Sequence, residues 1–134
     1  MAATFPLTIV SPAKAIFSGE VAQVEIPGRE GDFGVLPGHA PFFSMIRPGV
    51  IHIHGNADAR FFVTSGYAEV SPTGTTILSD HIEDLATVDV AETQKALEAA
   101  QGALDIAEGD EEKRAAQKRI ESAQALLAAL GGSH

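Results

Sequence analysis

The chain changes character near residue 85, and this break constrains its fold more than any single motif. All seven Pro and all seven Phe lie in residues 1–84, together with nine of the thirteen Gly. From Leu85 onward there is no Pro and no aromatic residue, and thirteen of the last fifty residues are Ala. Acidic and basic residues are divided almost evenly between the two parts, so charge does not make the break. Pro and Gly favour turns and β-branched and aromatic residues favour strands, whereas Ala, Leu, Glu, Lys and Gln favour helix. The expected organisation is a β domain over 1–85 followed by a helical domain over 86–134.

The first part has the period-two pattern of half-buried strands. Phe5, Leu7 and Ile9 alternate with Pro6, Thr8 and Val10, and Ala22, Val24 and Ile26 alternate with Gln23 and Glu25. Ile51 and Ile53 alternate with His52 and His54, and a further run begins at Phe62. Turn signals separate these runs at Ser18-Gly19, Pro27-Gly28, Pro37-Gly38, Pro48-Gly49, Gly55-Asn56 and Pro72-Thr73-Gly74. Many short strands with close turns suggest a sandwich or a barrel. The periodicity does not give the strand order.

The second part has helical spacing. Asp89 with Glu92 three residues later reads as an N-terminal capping box. Val90, Thr93, Leu97, Ala100, Leu104 and Ala107 then recur at intervals of three and four. The polar stretch Glu108–Glu112 contains Gly109 and is expected to break the helix. A second seam follows at Ala116, Ile120, Ala123, Leu127 and Leu130, closed by Gly131-Gly132 as a C-cap. Two stripes joined by a tight loop predict an antiparallel helical hairpin. Each Ala buries little area, so at about 25 cal/mol per Å² this hairpin is expected to be marginal alone.

Several function classes fall away. With Lys+Arg 9 against Asp+Glu 18, the net charge of −9 would repel a phosphate backbone, so no nucleic-acid role is expected. The absence of Cys excludes disulfides, thiolate metal sites and cysteine nucleophiles. No apolar run approaches the roughly 18–20 residues that span a bilayer. The opening residues MAATFPLTIVSP resemble neither a secretory signal nor a transit peptide, so the chain is expected to work where it is made.

His52 and His54 share one face of a strand, but two imidazoles need a third ligand and the neighbouring sequence offers none, so a solvated sheet face is the expectation and no metal site. His39 sits in a Pro/Gly-rich loop, where a surface imidazole is unremarkable, and His81 and His134 have no evident partners. Asp32-Phe33-Gly34 matches the kinase metal-binding triplet without any of its supporting motifs. The Gly-rich stretch Gly28–Gly38 lacks the ending of a phosphate-binding loop. No catalytic arrangement is visible. Lys113, Arg114, Lys118 and Arg119 form a basic group that reads as a solvated helix face, or alternatively as a docking strip for an acidic partner.

Residues 17–41, FSGEVAQVEIPGREGDFGVLPGHAP, carry the most specific signal. With Val10-Ser11-Pro12, Pro48-Gly49 and Ser65-Gly66-Tyr67-Ala68-Glu69-Val70, this ordered set resembles the epsilon subunit of the F-type ATP synthase. Tyr67 is a minor departure, at a position more often Gly or Phe-like. The resemblance is strong over about the first 84 residues, and over the hairpin only the architecture agrees.

The resemblance implies a flattened β-sandwich of about ten short strands followed by the helical hairpin. It also implies a non-catalytic part of the rotating central stalk, without a cofactor, that joins the gamma subunit to the c-ring and couples proton translocation to ATP synthesis. By position it makes Arg29, Glu30, Gly31, Asp32 and Phe33 the c-ring contact, and Ser11, His39 and Ser44 the face toward gamma. In many members the hairpin is a switch that extends toward the alpha and beta subunits, where Lys113, Arg114, Lys118 and Arg119 would meet an acidic loop. Here the second helix ends at Leu130 without a basic tail, which argues against strong inhibition by extension. Some relatives bind ATP through an Asp-x-x-Arg motif. Asp89 is kept here but Glu92 replaces the Arg, so ATP binding is not expected. The implied location is the cytoplasmic face of a bacterial inner membrane, with no segment inserted.

Overall fold

The computed structural model describes residues 3–55 and 58–131. The turn residue Asn56, the C-cap residue Gly132 and His134 lie outside them. The chain forms two compact units, Met1–Ala86 and Thr87–His134.

The first unit contains ten strands in two five-stranded sheets. In chain order they are β1 (Phe5–Val10), β2 (Ala15–Val21), β3 (Gln23–Ile26), β4 (Phe33–Val35), β5 (Phe42–Ile46), β6 (Gly49–His54), β7 (Ala59–Val63), β8 (Gly66–Ser71), β9 (Gly74–Leu78) and β10 (Ile82–Asp84). Sheet A has the order β2-β1-β9-β8-β5 and sheet B the order β10-β7-β6-β3-β4. Each sheet turns one residue parity inward. Leu7, Ile9, Ile46, Ala68, Val70 and Ile77 of sheet A pack in one core with Val24, Ile26, Val35, Ile51, Ile53, Phe61 and Val63 of sheet B. Dual-sheet burial of alternating residues makes this a sandwich. All neighbouring strands are antiparallel except β1 and β9, which pair parallel with Leu7 opposite Thr75.

One turn assignment fails. Ser18-Gly19 lies inside β2, with Gly19 opposite Leu7 on β1. The chain instead changes sheets at Ala22, whose amide donates to the His54 carbonyl at 3.0 Å. The crossing from β9 to β10 buries Ser79, whose hydroxyl donates to the His81 carbonyl at 3.0 Å and whose amide donates to the Val10 carbonyl at 3.1 Å. A buried polar group satisfied in this way costs little.

The second unit is a pair of helices, α1 (Val90–Ile106) and α2 (Asp110–Gly131). Asp89 caps α1, its carboxylate accepting from the amides of Ala91 and Glu92 at 2.7 and 3.2 Å. The helical break is shorter than the polar stretch suggests. Asp110, Glu111 and Glu112 already belong to the first turn of α2, where negative charge complements the helix dipole. Leu97, Ala100, Ile120 and Ala123 form the seam, with Leu104 and Leu127 packed against it. Three expected seam positions differ: Val90 is exposed, and Leu127 and Leu130 are half-buried while Leu126 and Ala129 are the buried positions late in α2.

Candidate functional site

The loop between β3 and β4 is built by close backbone approach. Gly28 bridges to Ile46, and a Cβ there would lie 2.5 Å from the Gly31 carbonyl oxygen and 3.0 Å from the Phe33 ring. Gly31, at φ +141, donates its amide to the Gly28 carbonyl at 3.1 Å. This fold-back leaves Arg29, Glu30, Gly31 and Asp32 exposed and Phe33 half-buried. Three contacts then fasten the loop to the end of β5. The Arg29 amide donates to the Met45 carbonyl at 2.8 Å, the Arg47 amide donates to the Pro27 carbonyl at 3.0 Å, and the Arg47 guanidinium pairs with the Asp32 carboxylate. Arg29, Glu30, Gly31 and Asp32 thus form one exposed tip held in a defined shape, with Phe33 leading into β4, as a surface-recognition loop requires. Asp32 is an ion-pair partner and Phe33-Gly34 begins β4, so nothing of a kinase triplet's geometry is present.

Ser11, His39 and Ser44 are not brought together. Ser11 closes the turn between β1 and β2: its amide donates to the Lys14 carbonyl at 2.9 Å and its hydroxyl accepts from the Lys14 amide at 3.3 Å. His39 precedes β5 at the opposite end of sheet A, with Nδ1 2.7 Å from the Ala40 carbonyl and its ring 6.3 Å from that of Phe42. Ser44 lies on β5 itself and its hydroxyl donates to the Met45 carbonyl at 2.9 Å.

The β5 edge carries a feature that the residue-by-residue reading missed. Phe42, Phe43 and Met45 are 46, 56 and 46% exposed, and Leu36 in the preceding loop is 55% exposed. Phe43 stacks on Tyr67 of β8 with ring centroids 5.3 Å apart, while Phe42 meets Phe33 edge-on at 5.1 Å. Exposed apolar side chains grouped on a sheet edge make it a candidate interaction surface. The signal was present in the sequence: Phe42-Phe43-Ser44-Met45-Ile46 does not alternate, so its strand must turn apolar residues to both faces. Phe33 and Phe42 make the polar loop and the apolar edge contiguous.

On α2, Lys113, Arg114, Lys118 and Arg119 are all exposed. At roughly 100° per residue, Arg114 and Lys118 project opposite the buried Ala116–Ile120–Ala123 seam, while Lys113 and Arg119 flank it on opposite sides. The four charges therefore surround the helix, and only Arg114 and Lys118 share one strip. On α1 the Asp89 carboxylate is occupied as the helix cap, and Glu92 is exposed in the first turn.

The histidines have partners that the sequence hid. His81 Nε2 lies 2.9 Å from a Glu83 carboxylate oxygen, and His54 Nε2 lies 2.6 Å from Glu25 Oε2. The register of β3 on β6 sets Glu25 opposite His52, which supplies the third group that the neighbouring sequence lacked. No helix of the described residues is long and apolar enough to cross a membrane.

Comparison with known proteins agrees with this architecture. Residues 4–85 match the model of the ATP synthase Delta/Epsilon chain β-sandwich domain. The ATP synthase epsilon chain of Rhodospirillum rubrum is 41% identical over 134 residues, covering 98% of this chain and all of the relative. That of Bradyrhizobium sp. (strain ORS 278) is 43% identical over 117 residues, 87% of each chain. Among solved structures, a chain of the Euglena gracilis mitochondrial ATP synthase (OSCP/F1/c-ring) superposes with a TM-score of 0.82 at 24% identity, covering 95% of this chain and 81% of its own. A chain of the Tetrahymena thermophila central stalk/c-ring gives 0.70 at 16% identity, covering 94% and 96%. The structural likenesses speak for the fold, and the sequence matches go further: this chain belongs to the epsilon-chain family of the F-type ATP synthase.

Proposed function

We propose that the chain is a non-catalytic rotor subunit that links the gamma subunit to the c-ring, so that ring rotation driven by proton flow reaches the catalytic head. The observation that carries this reading is the joined surface on the sandwich. An exposed apolar edge, Phe42, Phe43 and Met45, suits a lasting contact with gamma, and the fastened polar loop Arg29–Phe33 suits the polar loops of a ring. Torque transmission needs a stiff body, which a two-sheet sandwich with one continuous core supplies. Ser11, His39 and Ser44 would lie along a broad gamma face rather than in one cluster. The subunit would sit peripherally at the cytoplasmic face of a bacterial inner membrane.

The hairpin is assigned at most a minor regulatory role toward the alpha and beta subunits, carried by Arg114 and Lys118 as the shared strip. ATP is not a ligand in this reading, because Glu92 would repel the triphosphate and Asp89 is engaged as a cap. The test is reconstitution. Membranes stripped of the native subunit should regain proton-driven ATP synthesis on addition of the full chain, and a Phe43→Asp, Met45→Asp variant should fail to restore it. Restoration by the double variant to the wild-type level would contradict the assigned surface.

A further inference from the structure

The outward face of sheet B holds a group of side chains with no part in the surface described above. Glu25 on β3, His52 and His54 on β6 each direct one donor atom to a common point, and the three donors lie within 4.8 Å of one another. His54 Nε2 is 2.6 Å and His52 Nδ1 3.7 Å from Glu25 Oε2. The two imidazole rings are 4.1 Å apart between centroids and tilted by 34°. All three side chains are partly exposed, His52 at 25%, His54 at 36% and Glu25 at 52%.

We propose that Glu25, His52 and His54 form a binding site for a divalent transition-metal ion, zinc being the best match to two imidazoles and one carboxylate. Bonds of about 2.0–2.2 Å in a tetrahedral arrangement put donor atoms roughly 3.3–3.6 Å apart. The distances here straddle that separation, and rotation of three partly exposed side chains closes the difference without moving a strand. The backbone fixes the rest: residues two apart on β6 share a face, and the β3–β6 register brings Glu25 to them. Three protein donors at an exposed face leave coordination positions open to water or to a donor from outside. Calcium and magnesium prefer oxygen donors, so the site discriminates against them. Arg60 lies opposite His52 on β7, on the side of β6 away from Glu25.

The test is calorimetric titration of the metal-free full chain with zinc chloride, repeated with magnesium chloride. One zinc per chain is expected, with no magnesium uptake at the same concentration. Glu25→Gln, His52→Asn and His54→Gln should each weaken zinc binding at least about tenfold, whereas His81→Asn, at the separate His81–Glu83 pair, should leave it unchanged. Zinc should also raise the midpoint of thermal unfolding, and the three ligand variants should lose that shift. As a check on the unaltered chain, zinc should protect His52 and His54, but not His39, from histidine-modifying reagent. Failure to bind zinc, binding that survives His52→Asn and His54→Gln, or equal protection of all histidines would overturn the proposal.

Discussion

At the scale of single residues, the loop that joins β3 to β4 depends on Gly28 because there is no room for a side chain beside Gly31 and Phe33. Gly28→Ala should destabilise the sandwich by about 1–3 kcal/mol, the cost of forcing atoms into an occupied space, as read by urea unfolding. Asp32→Asn should cost less than about 1 kcal/mol by the same measurement, because its pair with Arg47 is solvent-exposed. The sequence shows that Gly28 and Asp32 belong to one compact loop, but not that Arg47 holds it. That contact spans fifteen residues and depends on how β5 approaches sheet B. The same holds for Glu25. Its relation to His52 and His54 is a register across twenty-seven residues or more, which no local pattern encodes.

At the scale of elements, clean alternation made some strands readable, while polar or doubly apolar strands stayed hidden. β1, β3 and β6 alternate cleanly, whereas β2 is interrupted by Ser18-Gly19, and a Gly opposite Leu7 resembles a turn until its strand is paired. β5 turns apolar residues to both faces and gives no alternation. The parallel pairing of β1 with β9 is invisible to periodicity, which is the same for either strand direction. In α2 the adjacent Leu126 and Leu127 allow two stripes, one continuing from Ala123 at four and three and one at three and three, and the choice depends on packing rather than on sequence. The Asp89 cap was readable because it is local. Asp89→Ala should cost the hairpin about 1 kcal/mol, seen as faster amide exchange at Ala91 and Glu92 with the sandwich amides unchanged. Titration with MgATP should give no binding on the order of micromolar affinity; binding at that level would show that Glu92 does not exclude the nucleotide.

At the scale of the molecule, the two compact units differ in build: a sandwich with a continuous aliphatic and aromatic core, and a hairpin whose short seam of four residues is half Ala. Burial of large side chains stabilises the first far more than the second. Differential amide exchange should therefore show the hairpin opening at lower free energy than the core strands β1, β6 and β9. A stiff body with one apolar edge and one fastened loop is suited to carrying force between two neighbours. The most direct measurement is calorimetric titration of the full chain into a cognate gamma subunit, beside the Phe43→Asp, Met45→Asp variant. The rotor assignment predicts one-to-one binding with a dissociation constant on the order of nanomolar, weakened at least about a hundredfold in the variant. Absence of binding by the full chain, or equal binding by both proteins, would contradict it.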